Sequence, residues 1–163
     1  MIKIKKTLLL IGFLISLTSY IFAIKEDSII LALAGVPSFL NIIILLHECG
    51  HAFACKLNGN RITCIKVPLV KITKIGLEIN STPNFDSYCS FISKKSDLIV
   101  YIFGPIFSLL GCLAFLVCSI LTNNNVLSIS TVLLLMHFLK NMIPMGESDI
   151  SKIIKTIRHR RRY

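Results

Sequence analysis

Four apolar runs constrain this chain more than any other feature. They cover residues 7–24, 29–57, 98–121 and 126–143. Each is long enough for a helix to cross roughly 30 Å of hydrocarbon, where every backbone N–H and C=O must be satisfied within the segment. Composition agrees: 54% of the 163 residues are hydrophobic and 16% are charged, whereas soluble domains are about a quarter charged. An ordinary water-soluble domain is therefore not expected. The expected fold class is an all-α membrane protein, with about four transmembrane helices and a short cytoplasmic β-hairpin-like insertion. The length suits one membrane-embedded domain over residues 1–163, without room for an added soluble module.

The first run, within an accessory segment 1–24, follows Lys3, Lys5 and Lys6 and has some character of a signal peptide. Ile21, however, stands where a cleavage site wants a small residue, so a retained span is expected. Pro37 in the second run, 29–57, is expected to kink the helix or to mark the start of its regular part. Gly104, Ser108 and Gly111 in the third run let helices approach closely. The fourth region, 126–154, is apolar up to the break at Pro144 and Gly146, and 155–163 is a basic tail.

A net charge of +10 raises nucleic acid as a partner, but the cations form no single face with interleaved aromatics. Nearly all of them lie in blocks: the N-terminus, the connection 56–95 and the C-terminal stretch from Lys152. The positive-inside rule puts those blocks on the cytoplasmic side and leaves the charge-poor connections on the other. The reading is an integral protein of a bacterial cytoplasmic membrane with both termini cytoplasmic, whose partners are the lipid bilayer and no nucleic acid. Arg158, Arg160, Arg161 and Arg162 read as an anchor to anionic headgroups.

Within the cytoplasmic connection 58–96, Ile62, Cys64 and Lys66, then Val70 to Ile75, alternate in the β-branched manner of short strands, with Gly76 as punctuation. The six cysteines contain no C-x-x-C pair and read as small buried hydrophobes.

The chemistry sits in the second run. His47-Glu48-Cys49-Gly50-His51 is an H-E-x-x-H sequence. Histidines four apart share one helical face and can reach one Zn²⁺, while Glu48 lies about 100° round, beside the metal's open position. Chance produces the pattern in about two or three of every thousand sequences of this composition, and ionisable groups inside an apolar span are functional by default. Zinc needs a third protein ligand. By residue type the candidates are Glu26, Asp27, Glu78, Asp86, Asp97, Glu147 and Asp149.

Taken with Gly104-Pro105, and with Asn141, Pro144 and Asp149 in an N-x-x-P-x-x-x-x-D pattern, the H-E-x-x-H helix resembles the site-2 protease family of intramembrane zinc metalloproteases. The resemblance covers roughly residues 42–154. It implies His47, His51 and Asp149 as ligands of one catalytic zinc, selecting Asp149 over Glu147. Glu48 is then the general base and Asn141 a substrate-binding residue. It also implies hydrolysis of peptide bonds in membrane-embedded or membrane-proximal substrates by a zinc-activated water, with an exposed β edge in the stretch 61–79 pairing with the unwound substrate. Ile150 stands where the family has glycine, and Ser108 where it has asparagine. His137 reads as a packing histidine. Another zinc hydrolase using Glu147, or a non-catalytic membrane metal-binding, accessory or immunity protein, is compatible with the same residues.

Overall fold

The computed structural model describes residues 2–73, 76–80, 87–92, 98–146 and 148–160. Its helices are α1 (Ile2–Glu26), α2 (Ile29–Leu57), α3 (Leu98–Thr122), α4 (Asn125–Met142) and α5 (Asp149–Arg160). Between α2 and α3 lie β1 (Arg61–Lys66), β2 (Val70–Thr73), β3 (Gly76–Ile79) and β4 (Tyr88–Ile92). The first four helices are long and apolar enough to cross a membrane, over Thr7–Glu26, Ile29–Leu57, Leu98–Thr122 and Asn125–Met142. Their outward surfaces carry large apolar side chains such as Leu33, Ile120 and Leu121, the surface that a hydrocarbon environment covers.

α1 packs on α2, α2 on α3 and α3 on α4, while α5 lies against α3 and α4. Missing side chains set the close approaches. A Cβ on Gly35 would meet the backbone of Tyr20, and one on Gly50 would meet the carbonyl of Phe103. The core between the helices contains Tyr20, Phe39, Ile43, Cys112, Val126 and Leu134. Tyr20 stacks on Phe39 at 4.7 Å, and its hydroxyl hydrogen-bonds the Ser130 hydroxyl.

The two charge-poor turns meet at one end of the bundle. Asp27 turns the chain with a left-handed φ of 47°, a conformation that aspartate tolerates better than most residues. Its carboxylate accepts from the Val126 N–H at 3.1 Å and the Asn125 amide at 2.7 Å. Asn124 caps α4 by accepting from the Leu127 N–H at 3.0 Å.

Pro37 does not end α2, which continues as one helix from Ile29 to Leu57. The rung next to it is rebuilt by α1: the Ser16 hydroxyl donates to the Ala34 carbonyl at 2.9 Å and accepts the Ser38 N–H at 3.2 Å. Those two backbone groups, four residues apart, would pair with each other in an uninterrupted helix.

The insertion is a small antiparallel sheet, consistent with the expected hairpin and extended to four strands among the described residues, in the order β3-β2-β1-β4. Here β4 returns to pair with β1, Cys64 opposite Ser90 and Ile65 opposite Cys89. The stretch 61–79 therefore supplies the two inner strands, β1 and β2, and one edge, β3. The other edge is β4, outside that stretch. The fourth helix stops at Met142, at the expected break before Pro144, and residues 149–160 form a further helix, α5.

Candidate metal centre

His47 and His51 lie one turn apart in the second half of α2, on the face turned to α3. Each imidazole is held through Nδ1. His47 Nδ1 is 3.0 Å from the Ser108 hydroxyl, and His51 Nδ1 donates to the Val100 carbonyl at 2.7 Å. A carbonyl can only accept, so the His51 proton sits on Nδ1 and its Nε2 presents a lone pair inward. The two Nε2 atoms stand 3.1 Å apart. Gly104 makes room for them, because a Cβ there would collide with both rings.

The third member comes from the far end of the chain. After α4, the Ser148 N–H donates to the Met145 carbonyl at 3.1 Å, Gly146 takes a left-handed φ of 55°, and α5 begins at Asp149. Asp149 Oδ2 lies 2.8 Å from His47 Nε2 and 3.3 Å from His51 Nε2. All three side chains are buried, and their ligand atoms lie within 4.8 Å of one another.

These residues fit a metal ion. Asp149 Oδ2, though buried, has no aligned hydrogen-bond donor; it and the two Nε2 atoms converge on a common point instead. Both histidines are oriented through their second nitrogen, the arrangement that metal-binding imidazoles generally have. His47, His51 and Asp149 are the group that could hold a metal among the described residues.

Glu48 is buried beside the triad, 3% exposed, with Oε2 unpartnered among the described residues. A cavity of about 220 Å³ opens onto the triad and is also lined by Glu48, His137 and Asn141. The β4 edge forms one wall through Tyr88, Cys89 and Phe91. Burial pushes the Cys89 thiol well above the ordinary range, with the neighbouring Cys55 thiol adding to it.

Among the described residues the other candidate acids fall away from this site. Asp27 is engaged with Asn125 and Val126, Glu26 approaches Lys25 at 4.0 Å, and Glu78 is exposed on β3 opposite Lys71. Asp86, Asp97 and Glu147 lie outside the described residues. Asn141 reaches the cavity with its amide donating to the His137 carbonyl at 3.0 Å. His137, expected to be a packing residue, lines the same cavity with its ring edge-on to His47 at 5.2 Å. Its position four residues before Asn141, on one helical face, is the sequence feature that could have revealed this. Of the cysteines, Cys55, Cys64 and Cys112 are buried as expected, while Cys49 and Cys118 are exposed.

Comparison with protein-family models, curated proteins and solved structures returns no match.

Proposed function

We propose that this protein is an intramembrane zinc metalloprotease of the site-2 protease type, in a bacterial cytoplasmic membrane with both termini cytoplasmic. The observation that carries the reading is the convergence of His47, His51 and Asp149 beside a buried Glu48 whose Oε2 has no hydrogen-bond partner among the described residues. His47, Glu48 and His51 lie on a helix long and apolar enough to cross a membrane, where ionisable groups are costly unless used. Two neutral imidazole nitrogens and one carboxylate suit Zn²⁺ as a three-residue set with a position left over. When bound, zinc supplies Lewis acidity that polarises a carbonyl and makes water a better nucleophile near neutral pH.

The protein's own residues then divide the work. Glu48 accepts the attacking water's proton and passes it to the leaving amine nitrogen. Ser108 and Val100 keep His47 and His51 in register. A substrate helix must unwind before its backbone can be attacked, since its carbonyls are bonded within the helix. The β4 edge, as a wall of the cavity, offers the unwound segment backbone partners by β-augmentation. Asn141 faces the same space and contacts the substrate there.

The test combines metal content with cleavage. Detergent-purified wild type and Glu48→Gln are expected to hold about one zinc each, and His47→Ala and Asp149→Ala close to none. Against a panel of single-span membrane peptides, Glu48→Gln is expected to lose cleavage. Undiminished cleavage by Glu48→Gln removes the proposed mechanism; a zinc-free, well-folded wild type favours a non-catalytic membrane role.

A further inference from the structure

Two lysines line the cavity that ends at the triad, and a third stands beside one of its walls. Lys140 from the last turn of α4 and Lys152 from α5 both line it. The Lys152 ammonium stands 5.7 Å over the Tyr101 ring, and the Lys66 ammonium 5.5 Å over the Tyr88 ring. Tyr88 and Tyr101 are themselves cavity walls. Among the described residues none of these three lysines is in an ion pair. Lys66 faces another cation, Lys71, across the β1–β2 ladder. β1, α4 and α5 thus bring cations to the walls of this one cavity or directly beside them.

We propose that the cavity selects peptide segments with carboxylate side chains, aspartate or glutamate, next to the bond presented to Glu48, with Lys140 and Lys152 as the recognising groups and Lys66 adding to the field. The proposal rests on the reading of the cavity as a peptide-cleaving site and names its substrate class. A focused cationic rim raises the local concentration of an anionic segment and orients it. An ammonium partly desolvated over an aromatic ring pairs more strongly with a carboxylate than a freely hydrated one. A headgroup-anchoring role requires only that lysines lie at the membrane surface. It does not require two of them to be walls of the cavity that leads to His47, His51 and Asp149.

Binding to the Glu48→Gln protein tests the proposal without any cleavage. The probes are two fluorescein-labelled peptides in uncharged detergent, one with aspartates flanking its centre and one with asparagines in the same places. The acidic peptide is expected to bind about tenfold more tightly at low salt, with the difference shrinking as salt screens the pairs. Adding Lys140→Gln and Lys152→Gln should bring the ratio close to one, and adding Lys140→Arg and Lys152→Arg should keep it. Equal binding of the two peptides to Glu48→Gln overturns the proposal, as does a ratio that survives the glutamine substitutions. It is also overturned if the glutamine substitutions weaken retention on phosphatidylglycerol vesicles while leaving the peptide ratio unchanged; the lysines then serve lipid. Cleavage that persists in Glu48→Gln would count against the protease mechanism and leave this ratio untouched, so the two failures are separable.

Discussion

The two halves of α2 are each completed by a serine from a neighbouring helix, and the two serines do different things. In the first half Pro37 removes a backbone donor, and Ser16 of α1 rejoins the ladder between Ala34 and Ser38. In the second half the backbone is intact, and Ser108 of α3 bonds a side chain instead, the Nδ1 of His47. The cavities divide the same way. Beside the first half lies a groove of about 780 Å³ lined by Leu8, Phe13, Pro37 and Leu40; beside the second lies the much smaller polar cavity with the triad. A hydroxyl in a helix bundle goes first to an orphaned backbone group where one exists, since leaving that group bare costs more than the bond gains. Only where the backbone is complete is it free to orient a ligand. The larger cavity is lined mostly by apolar side chains and the smaller one by the groups that could hold a metal.

Gly104→Ala should break the second half most severely. The added Cβ lands on both imidazoles, and a packed α2–α3 contact cannot open without moving the histidines apart. Zinc content measured on purified protein is expected to fall from about one per chain toward zero, as for loss of a ligand, while helix content by circular dichroism holds. Retained zinc would mean that the close approach at Gly104 does not shape the site.

The same division explains what could be read in the sequence. The four long helices were legible because each is an uninterrupted apolar run. The H-E-x-x-H pair was legible because i and i+4 on one helix fix two ligands locally. Asp149 was not selected by residue type, since it meets His47 only after the intervening chain has folded; the family resemblance chose it. β4 went unread because Tyr88–Ile92 finds its partner in β1, a pairing that only the folded sheet supplies. α5 was hidden by its charges, although Ile150, Ile153, Ile154 and Ile157 mark one helical face. Lys66 and Lys152 had already been accounted for by membrane orientation, Lys140 stood unremarked in the fourth apolar run, and nothing local in the sequence brings the three together. Ser108 was noticed only as a small residue standing where asparagine was expected, yet it is the group that holds His47.

Ser108→Ala sharpens the comparison at intermediate size. It deletes the partner that orients one ligand and leaves all three ligands in place, so the zinc dissociation constant should rise about 10- to 100-fold, as for other outer partners of metal-bound histidines. The thermal midpoint of the metal-free protein should barely move, because α3 keeps its contacts with α2 through Gly50 and Gly104. Competition with a chelating dye reads the first quantity, and a thermal melt without metal reads the second. An unchanged affinity would make the 3.0 Å contact incidental to binding.

Ser16→Ala should have the smallest effect, and on the opposite quantity. Removing the hydroxyl leaves the Ala34 carbonyl and the Ser38 N–H to close on each other beside Pro37 or to remain unpaired in a buried contact. Interhelical hydrogen bonds in membrane proteins contribute about 1 kcal/mol, so a stability loss of that order is expected, with zinc affinity unchanged. Combined with Ser108→Ala, the two losses should add to within about 0.5 kcal/mol in both readouts, since the sites share no partner. A coupling larger than that would mean that the packing half of α2 sets the position of His47, and that the helix transmits strain past Pro37 rather than keeping its two tasks apart.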